Sequence, residues 1–159
     1  VVSAYANLVP NKTLSRLAID WFHKLCPVDY TEAEYQYARQ YQEDEGVIPI
    51  WEGVKSQEVE FSASTDVGDV SWVIPTATVN TACFSYGAGA HSWQWTAQGK
   101  SAIAHKGMIF AAKVMAESAK TLLEHPEEIK KAWDEFDKRL DGEKYECLIP
   151  KEVAPHVIE

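Results

Sequence analysis

No apolar run in the 159-residue chain approaches the roughly 20 residues needed to span a bilayer, and none has the layout of a signal peptide. A membrane partner is therefore not expected. Cysteine is scarce. Cys26, Cys83 and Cys147 are an odd number, far apart and without a CxxC pair. That excludes a disulfide framework and a zinc ribbon, and fits free thiols in a reducing cytoplasm. Basic residues are outnumbered, 15 Lys and Arg against 24 Asp and Glu, for a formal net charge of −9. Phosphate backbones require a clustered basic face, so nucleic acid is excluded as a partner. The glycine-rich phosphate loop, the Gly-x-Ser-x-Gly elbow and the His-Glu-x-x-His pair are also missing. So is an initiator Met: the chain opens on VVSAYANLVPN and reads as a fragment, or as the later part of a longer polypeptide.

What is present is an ordinary globular composition, 46% hydrophobic and 25% charged, at a length that suits one domain with a real core. Residues 1–9 read as a strand ended by Pro10, after which Asn11 or Thr13 can cap a helix. Leu14, Leu17, Ala18, Trp21, Phe22 and Leu25 then follow at helical spacing, and Pro27 stops the run. Thr31 and Glu34 form a capping-box pattern for a second helix reaching about Gln42. A break at Pro75 precedes a β-rich run from Thr76 to Phe84. From Gly99 a long alanine-rich helix is expected to about His125, and a further helix ends at Gly142. The alanines and Gly107 suggest close packing on a sheet. The expectation is a layered α/β domain in which a small sheet, containing the Thr78–Phe84 strand, is packed by helices.

Two polar stretches carry candidate chemistry. GAGAHSWQW, residues 87–95, delivers His91 after a run of small residues that permit a sharp turn. Such a histidine is either a metal ligand or acid/base, or an ordinary loop residue over tryptophans that fill a core. ASTDVGDVS, residues 63–71, places Asp66 and Asp69 after Ser64 and Thr65. It reads as an Asx-rich turn or helix cap, or as a ligand loop at a strand end. His105 sits early in the long helix, where a packed histidine is the simpler reading. One ligand on one loop cannot hold a catalytic metal, which takes several protein ligands and an open position.

The stretch from Ser64 to Ala112, STDVGDVSWVIPTATVNTACFSYGAGAHSWQW and onward, resembles the carboxy-terminal part of M20-family metallopeptidases and amidohydrolases, closest to the p-aminobenzoyl-glutamate hydrolase branch. NLVPNKTLSRL resembles the point where such a chain leaves the inserted lid domain. The resemblance implies that residues 1–10 are the last lid strand or the connection from it, and that residues 11–159 are the carboxy-terminal half of the catalytic domain. It implies a parent enzyme with two divalent metal ions, zinc or manganese, cleaving N-acyl amino acid or peptide-like amides. It assigns His91 as a ligand to one metal; Ser64, Thr65 and Asp66 are then expected to shape the substrate pocket or support the metal shell, and Trp93 and Trp95 to line the acyl pocket or to pack under the loop. The family's other ligands and its glutamate base lie outside this sequence. The missing amino-terminal part and lid domain are thus implied partners, within a homo- or hetero-oligomer, and the chain alone is expected to be inactive. The contrasting readings are a non-catalytic α/β assembly module and a small-ligand-binding module.

Overall fold

The computed structural model describes residues 4–42, 47–54 and 65–154, and every regular element among them is helical. The elements are α1 (Lys12–Leu25), α2 (Glu32–Arg39), α3 (Val67–Ser71), α4 (Trp93–Gln98), α5 (Ala102–Glu124) and α6 (Pro126–Leu140). The α/β expectation is therefore corrected: among the described residues there is no sheet. The chain divides into two compact units. The first comprises residues 1–16, 58–77 and 125–159, and the second residues 17–57 and 78–124.

In the second unit, the apolar face of α1 read from the sequence is packed, but against α5 and not against the expected sheet. Ala18, Phe110 and Val114 form a buried cluster joined by Trp21, Phe22, Leu25, Cys26, Val28 and Val79. Phe22 meets Phe110 edge-on at 5.3 Å between ring centroids, and the Trp21 indole N–H donates to Thr121 Oγ1 at 3.0 Å. A second cluster, Ala38, Ile50 and Ile103, joins α2 to α5. The capping box is present: Glu34 N donates to Thr31 Oγ1, and Thr31 N donates back to the Glu34 carboxylate at 2.6 Å. That carboxylate also receives Lys106 Nζ at 2.7 Å. Burial alone would raise the Glu34 pKa, but the Lys106 and Thr31 hydrogen bonds outweigh it and lower it.

The segment expected to be the central strand, Thr78–Phe84, is irregular and unpaired among the described residues. Its main chain makes no backbone–backbone hydrogen bond to another described residue. A strand exists only by exchanging bonds with a neighbour, and here the segment instead lies in a notch on α5. The Thr81 hydroxyl donates to Gly107 O at 3.0 Å, and a Cβ built on Gly107 would fall 2.2 Å from Ala82 O. The close approach inferred from Gly107 is real, but its object is a single irregular segment.

The first unit explains why residues 4–10 are not a strand either. Side chains of α3 capture their polar groups: Ala6 N donates to Asp69 Oδ1 at 3.0 Å and Val9 N to Ser71 Oγ at 2.8 Å. Trp72 Nε1 donates to Asn7 O at 2.8 Å. The rest of that strand expectation, residues 1–3, lies outside the described residues. In the same unit Asn11 caps α1, its Oδ1 accepting from Leu14 N at 3.0 Å. Glu135 on α6 completes the cap by accepting from Lys12 N, Thr13 N and the Thr13 hydroxyl at 2.8–2.9 Å.

Burial by itself would raise the Glu135 pKa, yet these donors and Arg139 hold it down at about 2. A carboxylate depressed on folding contributes stability above its unfolded pKa, and that contribution disappears as pH falls through the folded value. The window here runs from about pH 4.5 down to about 2. Allowing for partial solvent screening, Glu135→Gln is expected to cost about 1–2 kcal/mol at neutral pH. Urea denaturation of both proteins should show the difference shrinking towards pH 2. A difference constant with pH would place the effect elsewhere than in this charge.

Candidate functional site

His91 stands at the end of a turn that begins at Ser85. Gly87 has φ +88° and His91 itself has φ +56°, so a glycine and the histidine both take left-handed conformations in the turn. A left-handed backbone at a residue with a Cβ costs roughly 1–2 kcal/mol, and it persists only where neighbours fix it. Four hydrogen bonds do so. Ser85 N donates to Gln98 Oε1 at 2.8 Å, and Gln98 Nε2 donates to Ser85 Oγ at 3.2 Å. Trp95 Nε1 donates to Ala88 O at 3.2 Å, and the Ser92 hydroxyl donates to Gly89 O at 2.6 Å.

The two tryptophans of the motif separate in role. Trp95 stacks on Phe84 at 4.1 Å beneath the turn, as in the core-filling reading. Its indole lies 6.2 Å from the His91 ring. Trp93 is 70% exposed and touches Tyr41 at 6.1 Å, leaving a large flat apolar face in water. The His91 side chain is exposed, and neither ring nitrogen has a hydrogen-bond partner among the described residues. The imidazole is thus uncommitted: the carbonyl or carboxylate expected to orient a ligand histidine does not come from a described residue.

Thr65 and Asp66 belong to the first unit, while His91 and Trp93 belong to the second. Thr65 and Asp66 are both exposed just before α3, where the Thr65 hydroxyl accepts from Val67 N at 3.3 Å. Asp69, their neighbour in the motif, is engaged by Ala6 N and is structural. Ser64, the fourth pocket candidate, lies outside the described residues. His105 is exposed on α5 rather than packed. Among the described residues no group of three or more His, Cys, Asp or Glu side chains could hold a metal. No helix among them is long and apolar enough to cross a membrane. A groove of about 350 Å³ lies between Tyr37, Ala97, Lys100 and Ile103, but none of the sequence-derived site residues lines it.

Sequence reasoning missed α4 and the buried Ser85–Gln98 pair. The available signal was Ser92 at an N-cap position with Gly99 after the last turn, the punctuation of a short helix. No protein-family model matches the chain, and no solved structure matches it. A curated protein does: the chain is 44% identical over 94 residues to a subunit of the p-aminobenzoyl-glutamate hydrolase of Escherichia coli (strain K12). The match takes in 59% of this chain and 20% of that protein. The chain is therefore similar to a subunit of an amidohydrolase, in agreement with the resemblance read from Ser64 to Ala112, and it spans about a fifth of that relative's length.

Proposed function

We propose that the chain is part of a metal-dependent amidohydrolase cleaving N-acyl amino acid or peptide-like amides of the p-aminobenzoyl-glutamate type, and that it supplies one metal ligand and one wall of the site. The match to a p-aminobenzoyl-glutamate hydrolase subunit carries this reading. The outward, uncommitted imidazole of His91 supports it. In this proposal His91 offers one ring nitrogen to one of two divalent ions, zinc or manganese. His91 would be one donor of such a set, and the described residues bring no three candidate ligands together. The remaining ligands and the base then come from the rest of a longer polypeptide. Such ions polarise an amide carbonyl and lower the pKa of a bound water.

The chain's own residues would bind and orient. Trp93 offers its exposed face to the acyl portion of the substrate, and Ser64, Thr65 and Asp66 shape the pocket or support the metal shell. The word subunit in the relative's name favours assembly with a second polypeptide, and the three free cysteines favour a cytoplasmic setting. The test compares two samples with p-aminobenzoyl-glutamate as substrate. A complete polypeptide containing this chain should hydrolyse it, lose activity on chelation and regain it with zinc or manganese. The 159-residue chain alone should be inert under the same additions. Chelator-indifferent turnover by the complete polypeptide would remove the metal from the proposal, and chelator-sensitive turnover by the chain alone would mean that its ligands are misassigned.

A further inference from the structure

We infer that Trp95 and Gln98, three residues apart on α4, are positioning residues that fix the His91 turn and hold its ring outward in the absence of any metal. This rests on the reading of His91 as a ligand. Gln98 is fully buried, and its amide is matched at both ends. The oxygen accepts Ser85 N, and the nitrogen donates to Ser85 Oγ and to Gln94 O. That anchors the first residue of the turn. Trp95 anchors its middle, through the bond to Ala88 O and the stack on Phe84. Tyr86 N, bonded to Pro49 O at 2.8 Å, ties the turn to the second unit's own core segment at Ile50. The His91 ring makes no hydrogen bond to a described residue, so the left-handed backbone that aims it is held from below.

A ligand histidine whose ring has no partner among the described residues gains from such a seat, because the ordering of the turn is complete before an ion arrives. Among the described residues this differs from the usual arrangement, in which a second group grips the far nitrogen of the ring. Here the grip is on the backbone.

The test uses the 159-residue chain without metal, read by NMR at His91. Trp95→Phe keeps an aromatic ring on Phe84 and removes the N–H donor. Gln98→Met keeps the volume and removes both ends of the Ser85 pair. In the parent chain the His91 ring protons should carry a ring-current shift from Trp95, and the His91 backbone shifts should report positive φ. In Trp95→Phe the order parameter of residues 87–91 should fall below about 0.6, the range of flexible backbone, with circular dichroism unchanged. In Gln98→Met the ring-current shift of His91 should collapse towards zero as the turn averages. A rigid turn in Trp95→Phe together with a parent-like His91 ring-current shift in Gln98→Met would overturn the inference. If Gln98→Met unfolds, the Trp95→Phe result decides alone, since that variant leaves the core stack in place. This outcome is independent of the ligand reading, which is judged by metal content in the complete polypeptide.

Discussion

Gly107→Ala should destabilise the chain by about 2–3 kcal/mol in urea denaturation, although alanine is the better helix former. The favourable term is small, about 1 kcal/mol for replacing glycine inside a helix. Against it stands a methyl group placed 2.2 Å from Ala82 O, 2.9 Å from Ala82 C and 2.7 Å from Cys83 Sγ. The sulfur is a side-chain atom that can turn away, but the carbonyl is backbone and can retreat only with the whole 78–84 segment. Moving that segment breaks the Thr81–Gly107 bond and opens the contacts of Val79 and Ala82 with the two core clusters. Overpacking of this kind costs about 1–3 kcal/mol and occasionally more, and a contact this short belongs at the top of that range. Gly142→Ala is the control. Its Cβ would meet nothing within 4 Å, but its φ of +85° penalises any side chain. That penalty is about 1 kcal/mol. No loss, or a gain, at 107 would show that the 78–84 segment yields to the methyl group and that the close approach to Ala82 does not require glycine.

His91→Ala in the complete polypeptide is expected to abolish most amide hydrolysis and to lower metal content by about one equivalent, with the fold retained. Groups that only support a ligand histidine cost about 10–100-fold when removed, so loss of the ligand itself should cost at least about a hundredfold. Retention of the fold follows from geometry. The ring is exposed and bonded to no described residue, so little packing disappears with it. One complication arises from the backbone, because alanine at φ +56° bears the same left-handed cost without histidine's better tolerance. His91→Asn separates the two effects, since asparagine accepts that conformation readily. Both variants should lose metal and activity together. Full activity with unchanged metal in either would return His91 to the role of a loop residue.

The helices were legible because their signals are local. Asn11, the Thr31–Glu34 box, Pro126 at the start of α6 and Gly142 beyond its end all act within a turn or two of their own position. The α1 stripe marked the face that is packed, but not that its partner is α5 instead of a sheet. The sheet was not legible, because strand content in 78–84 specifies an extended backbone but not a neighbour to pair with. What decided the segment's fate was the Gly107 notch, which periodicity does not register. Residues 4–10 failed for the related reason that Asp69 and Ser71, more than sixty positions away, claim their N–H groups. At the candidate site, composition placed His91 on a turn but not the residue that bends. The glycines drew attention to themselves, whereas one of the two left-handed residues there is the histidine.

That last detail restricts how the position can drift in evolution. A residue held at φ +56° draws on a short alphabet, because β-branched and bulky side chains are excluded and only Gly, Asn, Asp and His are well tolerated. Of those four, histidine alone brings an imidazole. Copies of this sequence released from selection for chemistry should therefore not decay at random here. They should settle on glycine, asparagine or aspartate, which keep the turn and give up the ring. On the proposed reading of His91 as a ligand, copies still under selection have a single letter available.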